Sequence, residues 1–132
     1  MVTEHPRPND QEGRIRAALG LANGPLPKVR GVWLRRYYEY LAARLALPFE
    51  AECPEDVSPY QQVFSVITVH ALLHPDGCSK HEESGLLCRA QRGTQDVEVP
   101  LADVELDENA ANYQLIEDYW YWFWNWRFDP QI

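Results

Sequence analysis

The stretch that most constrains this chain runs from Val97 to Trp126, VEVPLADVELDENAANYQLIEDYWYWFWNW. Its front end alternates, with Val97, Val99 and Leu101 on one side and Asp96, Glu98 and Asp103 on the other. That period of two describes a strand with one dry face and one wet, acidic face. Asp107 and Asn109 then offer N-cap oxygens, and no Gly or Pro interrupts Ala110 to Trp126, so a helix is predicted over 110–126. Leu115, Ile116, Tyr119, Trp120, Phe123 and Trp126 recur at helical spacing, an apolar stripe that the rest of the chain must cover. The run YWYWFWNW also alternates by twos and fits a strand; the helical spacing of QLIEDYW leading into it favours the helix. On this reading Trp120 and Phe123 are core, and truncating either to Ala costs ~3–5 kcal/mol.

A chain of 132 residues with 45% apolar residues is long enough for one domain with a real core. No apolar run approaches the ~18 residues of a membrane helix, and MVTEHPRPNDQEG at the start lacks the apolar centre of a signal peptide. Three cysteines, Cys53, Cys78 and Cys88, are too few for a disulfide framework. These features together predict a cytoplasmic protein. Charge is divided along the chain: residues 1–48 hold 8 Lys/Arg and 4 Asp/Glu, whereas residues 49–132 hold 4 and 16. An acidic body of that kind repels phosphate backbones and suits cations or basic partners, so nucleic acid and membrane are not expected as partners. A merely solvating acidic surface fits the same numbers.

Residues 1–28 read as an N-terminal arm with a short amphipathic helix from Gln11 to Leu21 that stops at Asn23-Gly24-Pro25, and residues 29–132 as a single α+β domain. A helix is predicted over Val29–Leu47, with Val32, Trp33, Tyr37, Tyr40, Leu41, Arg44 and Leu45 along one side and Pro48 ending it. Arg30, Arg35 and Arg36 at its start are expected to pair with the acidic half of the chain. Phe49 to Cys53 alternates, with Glu50 and Glu52 outward; Pro54 to Pro59 reads as a loop; Gln61–Leu73, Leu86–Arg92 and Asp96–Leu101 read as strands. The fold class is therefore α+β: a small bent antiparallel sheet or half-barrel of four to five strands, flanked by an N-terminal and a C-terminal helix.

The order and spacing of LALPFEAEC (45–53), SPYQQVFSVITV (58–69), VEVPLADVELD (97–107) and IEDYWYW (116–122) resemble the small calcium-binding protein family first described in cyanobacteria. The similarity covers about residues 30 to 122 and rests on the motifs as a set. It implies an α+β domain with a barrel-like sheet and Ca²⁺ binding by clustered surface carboxylates without an EF-hand loop; because exposed carboxylates lack a preformed cage, the expected role is a weak buffer or sensor. Carried over by position, the matching acidic residues are Glu50, Glu52, Asp103, Asp107, Glu117 and Asp118. The loop HPDGCSKHEES carries more His and Cys than a calcium site asks for, and the arm to residue 28 has no counterpart in the family pattern.

Read on their own, the carboxylates allow two accounts. Asp103, Glu105 and Asp107 sit two apart, so on an extended chain they share a side at roughly 7 Å spacing, close enough to straddle one cation. Equally, Asp107 could only cap a helix, and Glu50 and Glu52 could only be the wet face of a strand. Cys78-x₂-His81 with Cys88 and Cys53 has zinc-type ligands at a spacing that matches no zinc signature, and burial as small hydrophobes suits Cys53 and Cys88. No EF-hand loop, phosphate-binding Gly loop or placeable nucleophile–base set occurs, so an enzyme is not expected even with His74, Asp76 and Glu82 in one loop. The rival function is an acidic interaction module or inhibitor of a basic protein.

Overall fold

Four strands carry the architecture: β1 (Phe49–Ser58), β2 (Gln61–Leu72), β3 (Leu87–Arg92) and β4 (Gln95–Pro100). They form an antiparallel meander in the spatial order β1-β2-β3-β4. The computed structural model describes residues 8–77 and 81–127. Around the sheet lie α1 (Pro8–Leu19), α2 (Gly31–Arg44), the single turn α3 (His81–Ser84) and α4 (Tyr113–Trp126). This is the α+β arrangement expected from periodicity, an open four-stranded sheet with helices at both ends of the chain. No described helix is long and apolar enough to cross a membrane.

Alternation decides which face of the sheet is dry. Ala51 and Cys53 on β1, Ile67 and Val69 on β2, Cys88 and Ala90 on β3 and Val99 on β4 are buried, while Glu50, Glu52, Val66, Arg89, Gln91 and Glu98 face outward. The helices bury their apolar sides on the dry face. Trp122 is fully buried, stacks on Tyr37 at 5.3 Å between ring centroids, and donates its indole N–H to the Pro27 carbonyl at 2.9 Å. Tyr119 is fully buried too, and its hydroxyl accepts the Leu86 N–H at 2.8 Å. α1 joins this same core through Ile15 and Leu19, both at 0% exposure.

Several element boundaries differ from the sequence expectation. α1 ends at Leu19 rather than at the Asn-Gly-Pro: Gly20 takes a left-handed φ of +77°, and Leu21 N–H and Gly20 N–H cap the carbonyls of Arg16 and Ala17. α2 is shorter than 29–47 and buries Leu34, Tyr37 and Leu41, with Val32 half in solvent. Arg35 reaches the Asp76 carboxylate at 2.8 Å, while Arg36 lies over Trp33 and reaches the Leu19 carbonyl. β1 continues through Pro54 to Ser58, because an edge strand tolerates a proline that donates no hydrogen bond. α4 begins at Tyr113, after turns over 108–112, since the Asn112 amide is used to clamp Ala46 N–H and C=O, both at 3.0 Å.

Trp120 is the substantive correction. It is 42% exposed, and the buried face of α4 consists of Ile116, Asp118, Tyr119, Trp122 and Phe123. The helix is aromatic on nearly every side, so spacing alone could not choose which rings turn inward. Stacking on Tyr37 and the bond to the Pro27 carbonyl chose Trp122.

Candidate metal centre

After β4 the chain turns through a 3-10 segment, Leu101–Asp103, and returns to the free edge of β1. There Glu52 N–H donates to the Glu105 carbonyl at 2.9 Å, and Glu105 N–H donates to the Glu52 carbonyl at 2.8 Å. Two mutual bonds make a hydrogen-bonded antiparallel pair, in which the two side chains stand on the same face about 5.5 Å apart at Cα. Both residues are exposed, so two carboxylates face one another across the bridge. Like charges set directly opposite destabilise a sheet. The register around this pair brings Glu50 towards Asp107, and all four acids line one groove of about 370 Å³ together with Val66 and Leu106. No basic side chain is among the residues lining it. Asp107 is held by its own turn, its Oδ1 accepting the Asn109 N–H at 2.8 Å and its carbonyl the Ala110 N–H at 2.9 Å.

A second hollow of about 350 Å³ adjoins the first, sharing Glu105 and Leu106. It lies between this returning segment and α4, with Glu108, Tyr113, Glu117 and Trp120 on its walls. Burial, and then the charge of Asp118, push the Glu117 carboxyl above the ordinary carboxylate range. The Tyr113 phenol is raised first by the charge of Glu117, then by slight burial and by Glu108. In both groups negative charge beside negative charge adds to the effect of burial, and a cation would relieve that part of the shift.

The remaining sequence candidates sit elsewhere. Asp103 is carried by the 3-10 turn to the side of Cys53, whose thiol feels its charge, and it lines neither hollow. Burial raises its carboxyl as well. Asp118 points the opposite way from Glu117, into the joint between α4 and α1, and only 7% of its side chain is exposed. Its Oδ2 accepts Arg14 Nε at 2.7 Å, and its Oδ1 accepts Arg14 Nη2, Gln11 Nε2 and Gln114 Nε2 at 3.1, 3.0 and 2.8 Å. Its oxygens are thus spent on docking the first helix.

Glu105 and Glu108 complete the acidic set, and neither stands in the set carried over by position. The signal for Glu105 was its two-residue spacing from Asp103 and Asp107; which strand it would meet was not readable. Cys78 lies outside the described residues, as do the side chains of His81 and Glu82. Cys53 and Cys88 are buried free thiols, burial pushing the Cys88 thiol up to about 12, as suits small core residues. His74 Nδ1 accepts the Asp76 N–H at 3.1 Å, a local turn contact.

Among the described residues, no three His, Cys, Asp or Glu side chains already converge as a metal cage. The groove nonetheless has the right chemistry for a hard cation: every polar side chain lining it is a carboxylate, in an open setting that suits the flexible coordination of Ca²⁺. Comparison with known proteins agrees. A family model described as calcium binding matches residues 33–123. A solved structure described as a calcium binding protein in the calcium-binding form is similar in fold, with a TM-score of 0.65, 18% sequence identity, and cover of 88% of this chain and 90% of that one. No curated protein sequence matches.

Proposed function

This chain belongs to the cyanobacterial-type calcium-binding family, and from that premise we propose that its Ca²⁺ is held in the groove where the returning segment meets β1. Glu52 and Glu105 supply the central pair of carboxylates, with Glu50 and Asp107 beside them. Glu108 and Glu117 line the adjoining hollow and add to its negative field. The observation that carries this reading is the Glu52/Glu105 bridge, which sets two exposed carboxylates opposite each other with no basic residue lining the groove. Asp103 and Asp118 are not ligands in this reading, because one lines neither hollow and the other is saturated by hydrogen bonds. The role is that of a weak, non-catalytic calcium buffer or sensor. Exposed carboxylates with no preformed cage give a Kd on the order of 10⁻⁵–10⁻³ M, and Mg²⁺ binds less well because it demands tighter octahedral geometry.

Calorimetric titration of the whole chain with Ca²⁺ and with Mg²⁺ tests it, repeated on Glu52→Gln and Glu105→Gln. Each substitution should weaken Ca²⁺ by about tenfold or more while leaving the metal-free protein as stable or slightly more so, since a repulsion is removed. A purely structural role for the pair predicts instead a less stable protein with unchanged calcium heat. Absence of heat above buffer at millimolar Ca²⁺ overturns the proposal.

A further inference from the structure

The outer face of the sheet carries a feature that calcium binding does not use. The helices lie on the dry side, and the shared outer face of β1 and β2 has no described element packed on it. β1 and β2 also outrun the rest of the sheet. β3 first pairs with β2 at Thr68, and β1 is bridged on its far edge only at Glu52, so residues 54–66 form an arm with both edges open. Along its outer face lie Phe64 and Val66, exposed by 52% and 58%, with Pro54 opposite Phe64 and Glu52 opposite Val66. Val57 and Tyr60 stand at the tip, and Tyr60 is 98% exposed. Acids flank this apolar strip on β1, at Glu50, Glu52 and Asp56, and two more, Asp96 and Glu98, stand farther along the same face on β4, beyond β3; all are exposed. Arg89 is the one arginine or lysine on that face among the described strand residues, because Arg92 turns to the other side to bond Ser65 and pair with Glu55.

We infer that this face docks a cationic, amphipathic polypeptide, whose apolar residues cover Phe64 and Val66 while its Lys and Arg meet the flanking carboxylates. Charge selects this occupant. A second copy of this chain would bring the same acidic rim against itself, and anionic lipid or nucleic acid would be repelled in the same way. A partner that is only basic would leave the apolar strip wet, and one that is only apolar would strand the carboxylates unpaired. Because Val66 lines the calcium groove as well, the two ligands share Glu50 and Glu52. Calcium and the cationic partner therefore oppose one another, and the coupling is equal in both directions. That antagonism rests on the calcium reading given above; the docking face does not.

The test uses the full chain and a fluorescent peptide with one Leu face and one Lys face, read by anisotropy in chelator at low salt. A control peptide keeps every Lys and replaces Leu by Gln. Phe64→Ser combined with Val66→Ser should weaken the amphipathic peptide about tenfold. The same pair should leave the thermal midpoint in place and make no difference to the control peptide. Equal affinity for wild type and variant means adhesion to acidic surface in general and overturns the docking face. Saturating Ca²⁺ should weaken peptide binding beyond the effect of NaCl at equal ionic strength. If calorimetry shows calcium bound while peptide affinity stays fixed, the antagonism is wrong and the calcium site stands. If no calcium binds and the Phe64/Val66 dependence persists, the calcium reading fails and the docking face stands.

Discussion

Asp118 offers the sharpest separation between a structural carboxylate and a metal ligand. It follows Glu117 directly on α4, yet it faces α1 and is nearly closed from solvent, with 7% of its side chain exposed. Replacing it with Ala strips the acceptor from both bonds of Arg14 and from the amides of Gln11 and Gln114. Charge-assisted bonds contribute roughly 1.5–3 kcal/mol each when desolvated. The Arg14 side chain is 41% exposed and can turn to water, so its share must be discounted heavily. Allowing about 1 kcal/mol for the ion pair and a similar sum for the two amides gives a loss of ~2 kcal/mol, or a fall in Tm of roughly 6–10 °C for a domain of this size. A double-mutant cycle of Asp118→Asn with Arg14→Met, followed by thermal and denaturant unfolding, should show a coupling of about 1 kcal/mol. Calcium affinity measured at a temperature where every variant is folded should change less than about twofold. Loss of calcium heat in Asp118→Asn with no change in Tm would refute the reasoning, since it would mean that a carboxylate with four donors on it still serves the ion.

Other outcomes follow from the same structure. Trp122→Ala should cost ~3–5 kcal/mol, and Trp120→Ala about 1 kcal/mol or less, given its 42% exposure; equal losses in chemical denaturation would contradict the packing of α4. Gly85→Ala should destabilise by ~2 kcal/mol or more, because φ is +74° and a Cβ there would run into the Tyr119 hydroxyl and the Phe123 ring. A differential scanning trace superposing on wild type would show that contact to be wrong. Glu117→Gln should raise Tm at neutral pH. Burial and Asp118 hold its folded carboxyl above the unfolded value, so the stability it contributes is full below the ordinary carboxylate range and is lost as pH rises through the raised value. The advantage of the Gln variant should therefore shrink to nothing in acid, and a constant advantage at every pH would argue against this origin. Cys53 and Cys88, both raised by burial, should resist thiol reagents until the protein unfolds; rapid labelling of the native chain would place them nearer solvent than the core packing allows.

Local pattern was enough for the elements and for the charge. Strict alternation at 49–53 and 96–99 determined which residues of β1 and β4 face water, because a strand has no other way to sort its side chains. The unbroken run from Ala110 to Trp126 foretold a helix for the same kind of reason, and the acidic excess of residues 49–132 put carboxylates on the surface before any strand was paired. Tertiary structure alone decided three things. Which rings of YWYWFWNW point inward was set by Tyr37, the Pro27 carbonyl and the Leu86 N–H, since a helix aromatic on nearly all sides has no preferred face of its own. Whether Asp118 or Glu117 meets solvent was set by the arrival of Arg14 and Gln11, more than a hundred residues away in sequence. Glu105 came opposite Glu52 through a single two-bond bridge that closes one edge of the sheet. Nothing local distinguishes these acids from their neighbours. Their electrostatic meaning comes from pairing across space, and that pairing is fixed only once the core has formed.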